Sequence, residues 1–196
     1  MGVGDGSPIS VPGGVNVLQN FSDATAGRSL QLYYGVSTED STGTDNILTR
    51  DSGISSFNKA WTNGGNSIDR DFDITINKPT IFAGIASIDV NWGILQSGSS
   101  NGATVVIEFN IIHYDGSTET NIGTITSVTM NETTTSSRSD KLKLLVTRQL
   151  FGVGHILRFN VIVTMTGDPT KYGGCYHDPQ TAGQELKLWM PIVNLE

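Results

Sequence analysis

Cysteine is nearly missing from this chain: Cys175 is the one thiol in 196 residues, so no disulfide can form within it. That excludes the small disulfide-stapled scaffolds and leaves stability to burial and to partner chains. Charge is scarce as well, with Asp, Glu, Lys and Arg making up 16% of residues against roughly 25% in ordinary soluble domains. Nineteen acids outnumber twelve bases, for a net charge of −7, and no long run of one sign occurs. A surface of that sign repels phosphate, so nucleic acid is not an expected partner. Long apolar runs are absent too, none approaching the roughly 18 residues of a membrane-spanning helix. The opening MGVGDGSPIS has neither the basic nor the apolar region of an export signal. The expectation is a soluble chain with no membrane partner.

What is there in quantity is Gly, Ser, Thr and Asn, the residues of turns and strands rather than helices. From residue 1 to 65 only short apolar pieces occur, such as Val15 to Leu18 and Leu30 to Tyr34, which predicts an extended N-terminal arm carrying one or two short strands. Regular alternation begins at Ile68, where Ile68, Arg70, Phe72, Ile74 and Ile76 interleave with Asp69, Asp71, Asp73 and Thr75. A period of two is the mark of a strand with one face buried. Thr80 to Trp92 reads as a second strand with a bulge, and Gly93 to Gly102 as a loop. Asp115-Gly116 between Ala103–Tyr114 and Ser117–Val128 predicts a two-residue type I′ hairpin, with His113 facing Thr118 and Phe109 facing Ile122. That register buries Val105, Ile107, Phe109 and Ile111 together and puts Ile125 on the wrong face unless the second strand bulges.

Met130 to Asp140 reads as a polar loop, followed by strands around Leu142 to Val146, Leu157 to Met165 and Leu186 to Ile192. Pro191 assigns the last of these to an edge or a strand end, since proline donates no ladder hydrogen bond. Seven or eight strands without βαβ alternation point to an all-β, antiparallel β-sandwich with jelly-roll topology over residues 66–196.

Candidate chemistry is thin. Asp69, Asp71 and Asp73 put three carboxylates on one strand face, but Ca²⁺ takes six to eight oxygens and no Asp-rich loop completes the set. Cys175 and His177 are two soft ligands where zinc needs four, and His113 and His155 lie on other segments. No Walker loop, His-Glu-x-x-His or dinucleotide fingerprint is present, and neither metal nor cofactor is expected. A glycosidase would need two facing carboxylates, for which Glu108, Glu119, Asp89 and Asp115 are the candidates. The preferred reading is not an enzyme. Trp61, Tyr33, Tyr34 and Trp189 are candidates for an interface or a ligand-stacking surface, Trp61 above all because its surroundings are loop-like.

Taken together, Ile68-Asp69-Arg70-Asp71-Phe72-Asp73-Ile74, Asp89-Val90-Asn91-Trp92-Gly93, His113 to Thr120 and His177-Asp178-Pro179 resemble segments of small jelly-roll structural proteins of tailed bacteriophages. The resemblance spans roughly residues 65 to 196. It implies a head decoration, or cement, protein that clasps the major capsid protein and associates with copies of itself, commonly as a homotrimer. The location it implies is the virion, assembled in the host cytoplasm. The competing expectation is a carbohydrate- or receptor-binding sandwich of a phage tail or fibre.

Overall fold

The computed structural model describes residues 28–40, 43–54, 59–96, 101–181 and 183–193. Every element among them is a strand: β1 (Arg28–Asp40), β2 (Gly43–Thr49), β3 (Lys59–Asn63), β4 (Ser67–Thr75), β5 (Thr80–Gln96), β6 (Ala103–Tyr114), β7 (Glu119–Thr126), β8 (Met130–Glu132), β9 (Ser136–Phe151), β10 (Ile156–Gly167), β11 (Tyr172–Tyr176) and β12 (Leu186–Val193).

Eight of these build two layers, one ordered β1-β12-β5-β9 and the other β4-β10-β6-β7. Numbered along the chain, the eight read 1-8-3-6 and 2-7-4-5, the double Greek key of a jelly roll. Pairing is antiparallel except at one corner. There β1 leaves β12, pairs with β2, and β2 meets β4 through a single parallel bridge, Ile47 with Asp73. The short strands β3 and β11 extend the far end of β5, and β8 pairs with β6.

Alternation explains the core. Val105, Ile107, Phe109 and Ile111 of β6, Leu157 to Met165 at every second position of β10, and Phe72 of β4 point inward from one layer. Ile88, Val90 and Trp92 of β5, Leu144 and Val146 of β9, and Leu186, Leu188 and Met190 of β12 meet them from the other. Phe109 stacks on Phe159 at 5.7 Å, Phe82 meets Phe151 edge-on at 5.0 Å, and His113 packs across the layers on Phe151 at 4.3 Å. Each large side chain fully removed from water stabilises by roughly 1.5–3 kcal/mol.

Several expectations are corrected. The boundary at residue 65 is not a boundary of the sandwich. Residues 28–63 contribute β1, β2 and β3, and Tyr33, Val36 and Leu48 are buried. Their apolar runs are short because two of these strands wrap the corner between layers and bury only a few positions. The arm predicted for residues 1–27 lies outside the described residues.

The β6–β7 turn is longer than a type I′ hairpin, since Asp115 has no positive φ and only Gly116 does, at 100°. Tyr114 faces Glu119 and His113 faces Thr120, two positions from the expected register. Asp115 causes this: its Oδ1 accepts from the Ser117 and Thr118 amides, at 2.9 and 2.8 Å, and so closes a four-residue loop. The expected bulge is present, and it lets Ile122 be buried while Ile125 still packs on the core.

The loop expected at Met130 to Asp140 instead holds β8 and the start of β9, and β5 continues past Gly93 to Gln96. β12 is central rather than an edge. Pro191 is tolerated there because β12–β5 pairing breaks between Trp189 and Ile192.

Candidate functional site

The two outer faces of the sandwich differ in kind. On the β4–β10–β6–β7 layer, alternation points Asp69, Asp71, Asp73, Arg158, Asn160, Glu108 and Asn110 outward, and they satisfy one another. Asn160 donates to Asp69 and, at 2.7 Å, to Asp71, while its own oxygen accepts from Asn110 at 3.1 Å. Asn110 also donates to Glu108 and accepts from Asn121 and Thr124. Arg158 binds Asp73 through two nitrogens at 2.9 and 2.8 Å and pairs with Asp71 and Glu119. These carboxylates hold its guanidinium above its ordinary pKa, the Asp73 hydrogen bonds first among the causes. The three aspartates are thus engaged by Asn160 and Arg158 instead of open to Ca²⁺.

The opposite face is built on β5. Ala86, Ile88, Val90 and Trp92 fill the core, so Ile85, Ser87, Asp89 and Asn91 face outward. Residues paired across antiparallel strands share a face, and the register therefore lays out rows. Leu145 of β9 lies beside Ile85. Lys143 lies beside Ser87, which has Trp189 of β12 on its other side and Leu32 of β1 beyond. Lys141 lies beside Asp89, followed by Lys187 and Tyr34, and Ser139 lies beside Asn91.

Between these rows is a depression of about 360 Å³ lined by Asp89, Asn91, Lys141, Gly183, Glu185 and Lys187. Trp189 Nε1 donates to Asp89 Oδ2 at 3.0 Å, and Asn91 Nδ2 donates to the Gly183 carbonyl at 2.9 Å. The remaining oxygens, Ser87 Oγ, Asp89 Oδ1 and Asn91 Oδ1, are buried and have no hydrogen-bond partner. Asp89 Oδ1 has only the Lys141 ammonium at 3.4 Å, too long for a well-formed bond. Leaving a buried polar atom unsatisfied costs about 1–3 kcal/mol, which marks three in a row as a feature needing a reason.

Of the four aromatic candidates, Tyr34 and Trp189 come onto this face, both half-buried. Tyr33 does not. It is 1% exposed, in the core, with the Arg50 guanidinium 5.5 Å from its ring, and burial raises its hydroxyl pKa. Trp61 stands in β3 opposite Gly174, and its side chain lies outside the described residues.

Glu108 and Glu119 sit on the other layer from Asp89, so those carboxylates do not face one another across a cleft. Asp115 is held down to about 2 by the Thr118 and Ser117 amides and the Ser117 hydroxyl, and so stays ionised, unable to donate a proton at neutral pH. Residues 98–102, Gly-Ser-Ser-Asn-Gly, formally match a nucleophile elbow. They join strand β5 to strand β6, whereas an elbow joins a strand to a helix; residues 97–100 lie outside the described residues.

Cys175 and His177 are both buried, and no group of three His, Cys, Asp or Glu among the described residues is placed to hold a metal ion. His113 and His155, distant in sequence, instead share a hydrogen bond, Nε2 to Nδ1 at 2.7 Å.

The chain matches no known family model and no curated protein. Among solved structures it is similar to an α-amino acid ester hydrolase, with a TM-score of 0.52 and 13% identity over 82% of this chain and 36% of that one. It is similar also to an aminopeptidase from a marine sediment archaeon, Thaumarchaeota archaeon, with a TM-score of 0.50 and 11% identity over 83% of this chain and 37% of that one. The class these likenesses define is the all-β sandwich. The chain spans little more than a third of either hydrolase.

Proposed function

We propose that this protein is a non-catalytic assembly module: a virion decoration protein that packs against major capsid subunits, and against copies of itself as a trimer, through an outer sheet face. The observation that carries this reading is the pair Ile85 and Leu145. They stand opposite each other on β5 and β9, 54% and 69% exposed. Single exposed apolar residues are ordinary, but two large ones in register on a sheet face suit the centre of a contact with a neighbour. The low charge content suits the same use, because interface centres are depleted in charge. The resemblance of residues 65–196 to jelly-roll virion proteins supplies the identity of the neighbour.

The test is the double substitution Ile85→Lys, Leu145→Lys. Both side chains are exposed, so the fold should hold to within about 0.5 kcal/mol per site, as read by thermal unfolding. Titrated onto particles stripped of auxiliary proteins, the double variant should bind at least about tenfold more weakly. Equal binding would remove this face from the interface, and no particle binding by the unsubstituted protein would remove the function.

A further inference from the structure

The face that carries Ile85 and Leu145 holds more apolar surface than that pair, and the register shows where it runs. Five large apolar side chains among the described residues are more than half exposed, and three of them, Ile85, Leu145 and Leu150, lie on β5 and β9 of this one layer. The other two, Val128 and Val153, are in connections between strands, so the opposite layer has no counterpart. Leu150 pairs with Ile81, which pairs with Val193 of β12, and a second apolar row therefore crosses the sheet beside the first. On β5 only Ala83 and Gly84 stand between the two rows.

The second row continues past Val193 to Arg28, the first residue of β1. The chain thus enters the sheet at the margin of the apolar patch, preceded by residues 1–27. Their composition suits the patch. They include Val15, Val17, Leu18 and Phe21, and they contain Asp5 and Asp23 but no Lys or Arg. Lys143, exposed on the same side of β9 two positions from Leu145, supplies the opposite charge.

Reach is no obstacle. β1 and β9 are three strand spacings apart in the layer, about 14 Å, and Leu145 lies roughly a further 16 Å along β9 from Leu150. Ten extended residues, the separation of Leu18 from Arg28, span up to about 33 Å. So short a tether also decides which copy supplies the segment. It holds the apolar residues at an effective concentration on the order of millimolar, far above that of a second chain in micromolar solution.

We propose that residues 1–27 fold back across the β12-β5-β9 face of their own chain and cover Ile85, Leu145 and Leu150, an autoinhibitory contact that a neighbouring subunit must displace. Only the displacement rests on the reading of this face as an assembly surface; the cover is a property of the free chain.

The test uses the full chain. Its native thiol, Cys175, is fully buried, so Leu145→Cys adds one accessible thiol on the covered face. Combined with Val15→Asp, Val17→Asp and Leu18→Asp, it should react with a thiol-specific disulfide reagent at least about tenfold faster than Leu145→Cys alone, the factor for a cover occupied about nine-tenths of the time. Paired in turn with Val15→Cys, Val17→Cys, Leu18→Cys or Phe21→Cys at about 1 µM protein, where a tethered partner outcompetes a free one, it should form at least one disulfide within a single chain, seen on a non-reducing gel. Equal labelling rates, disulfides only between chains, or no disulfide from any of the four would overturn the cover. The triple Asp variant should also bind stripped particles severalfold more tightly, and unchanged particle binding beside faster labelling would overturn the inhibition. Faster labelling with no particle binding by any form would remove the decoration reading and leave the cover standing. Equal labelling, with particle binding lost in Ile85→Lys, Leu145→Lys, would do the reverse.

Discussion

Cys175 sits at full burial in β11, and burial pushes its thiol up to about 12. The thiolate is the reactive form, so the native protein should be silent toward a thiol-specific chromogenic disulfide and react with one equivalent only when denatured. Reaction at neutral pH without denaturant would mean that β11 opens. Gly93 makes a different demand. Its φ is 152°, and a β-carbon there would fall 2.2 Å from the Ser136 carbonyl oxygen. Because the obstacle is backbone, nothing can swing aside. Gly93→Ala should cost about 3 kcal/mol, at the upper end of overpacking penalties, measured by the urea midpoint.

At the scale of elements, β10 holds its layer together by pairing with β4 on one side and β6 on the other. Phe159 is the inward centre of that strand, and Phe159→Ala should cost about 3–5 kcal/mol, since a cavity replaces the ring stacked on Phe109. On the outward side, Arg158 ties β10 to β4 through Asp73 and to β7 through Glu119. Exposed pairs contribute about 0.2–1 kcal/mol, and breaking a buried one costs about 3–5. Arg158 and Asp73 are 19% and 31% exposed in their side chains, which places Arg158→Ala near 2 kcal/mol. A loss under 0.5 kcal/mol would show the network to be ornamental. The β6–β7 hairpin was legible as a hairpin from Asp115-Gly116. Its register was not, because Asp115 accepting from two amides two and three residues on is a choice between turn types that the dipeptide leaves open.

For the molecule as a whole, acid sensitivity should centre on His113. Burial, and then the neighbouring His155, lower its pKa below 6.5, with Asp115 opposing. The unfolded chain takes up a proton near pH 6.5 and the folded chain does so only at lower pH. Stability is therefore unaffected by this group above pH 6.5, falls as the pH drops from there to the folded pKa, and levels off beneath it. Denaturant midpoints at pH 7.5 and 5.5 should show the fall, and His113→Asn should flatten the slope even if it lowers both values. The chain folds by joining distant segments, β1 to β12 and β4 to β10. Refolding followed by tryptophan fluorescence should accordingly take milliseconds to seconds, not microseconds.

By itself the sequence determined the regularly alternating strands of residues 66–196, though not β8, the start of β9 or β11, and which of their faces is buried, because a two-residue period is written locally, in Phe72, Phe109, Phe159 and Leu188 alike. It determined also that stability would rest on packing without disulfides. Tertiary structure alone decided that residues 28–63 join the sandwich, that Tyr33 is core while Tyr34 and Trp189 share an outer face, and that Asp89 and Asn91 come together with Lys187 and Glu185. Those facts depend on which strands lie side by side and in what register. Pairings of that range are set by the closure of two layers over one core, and no local pattern encodes them.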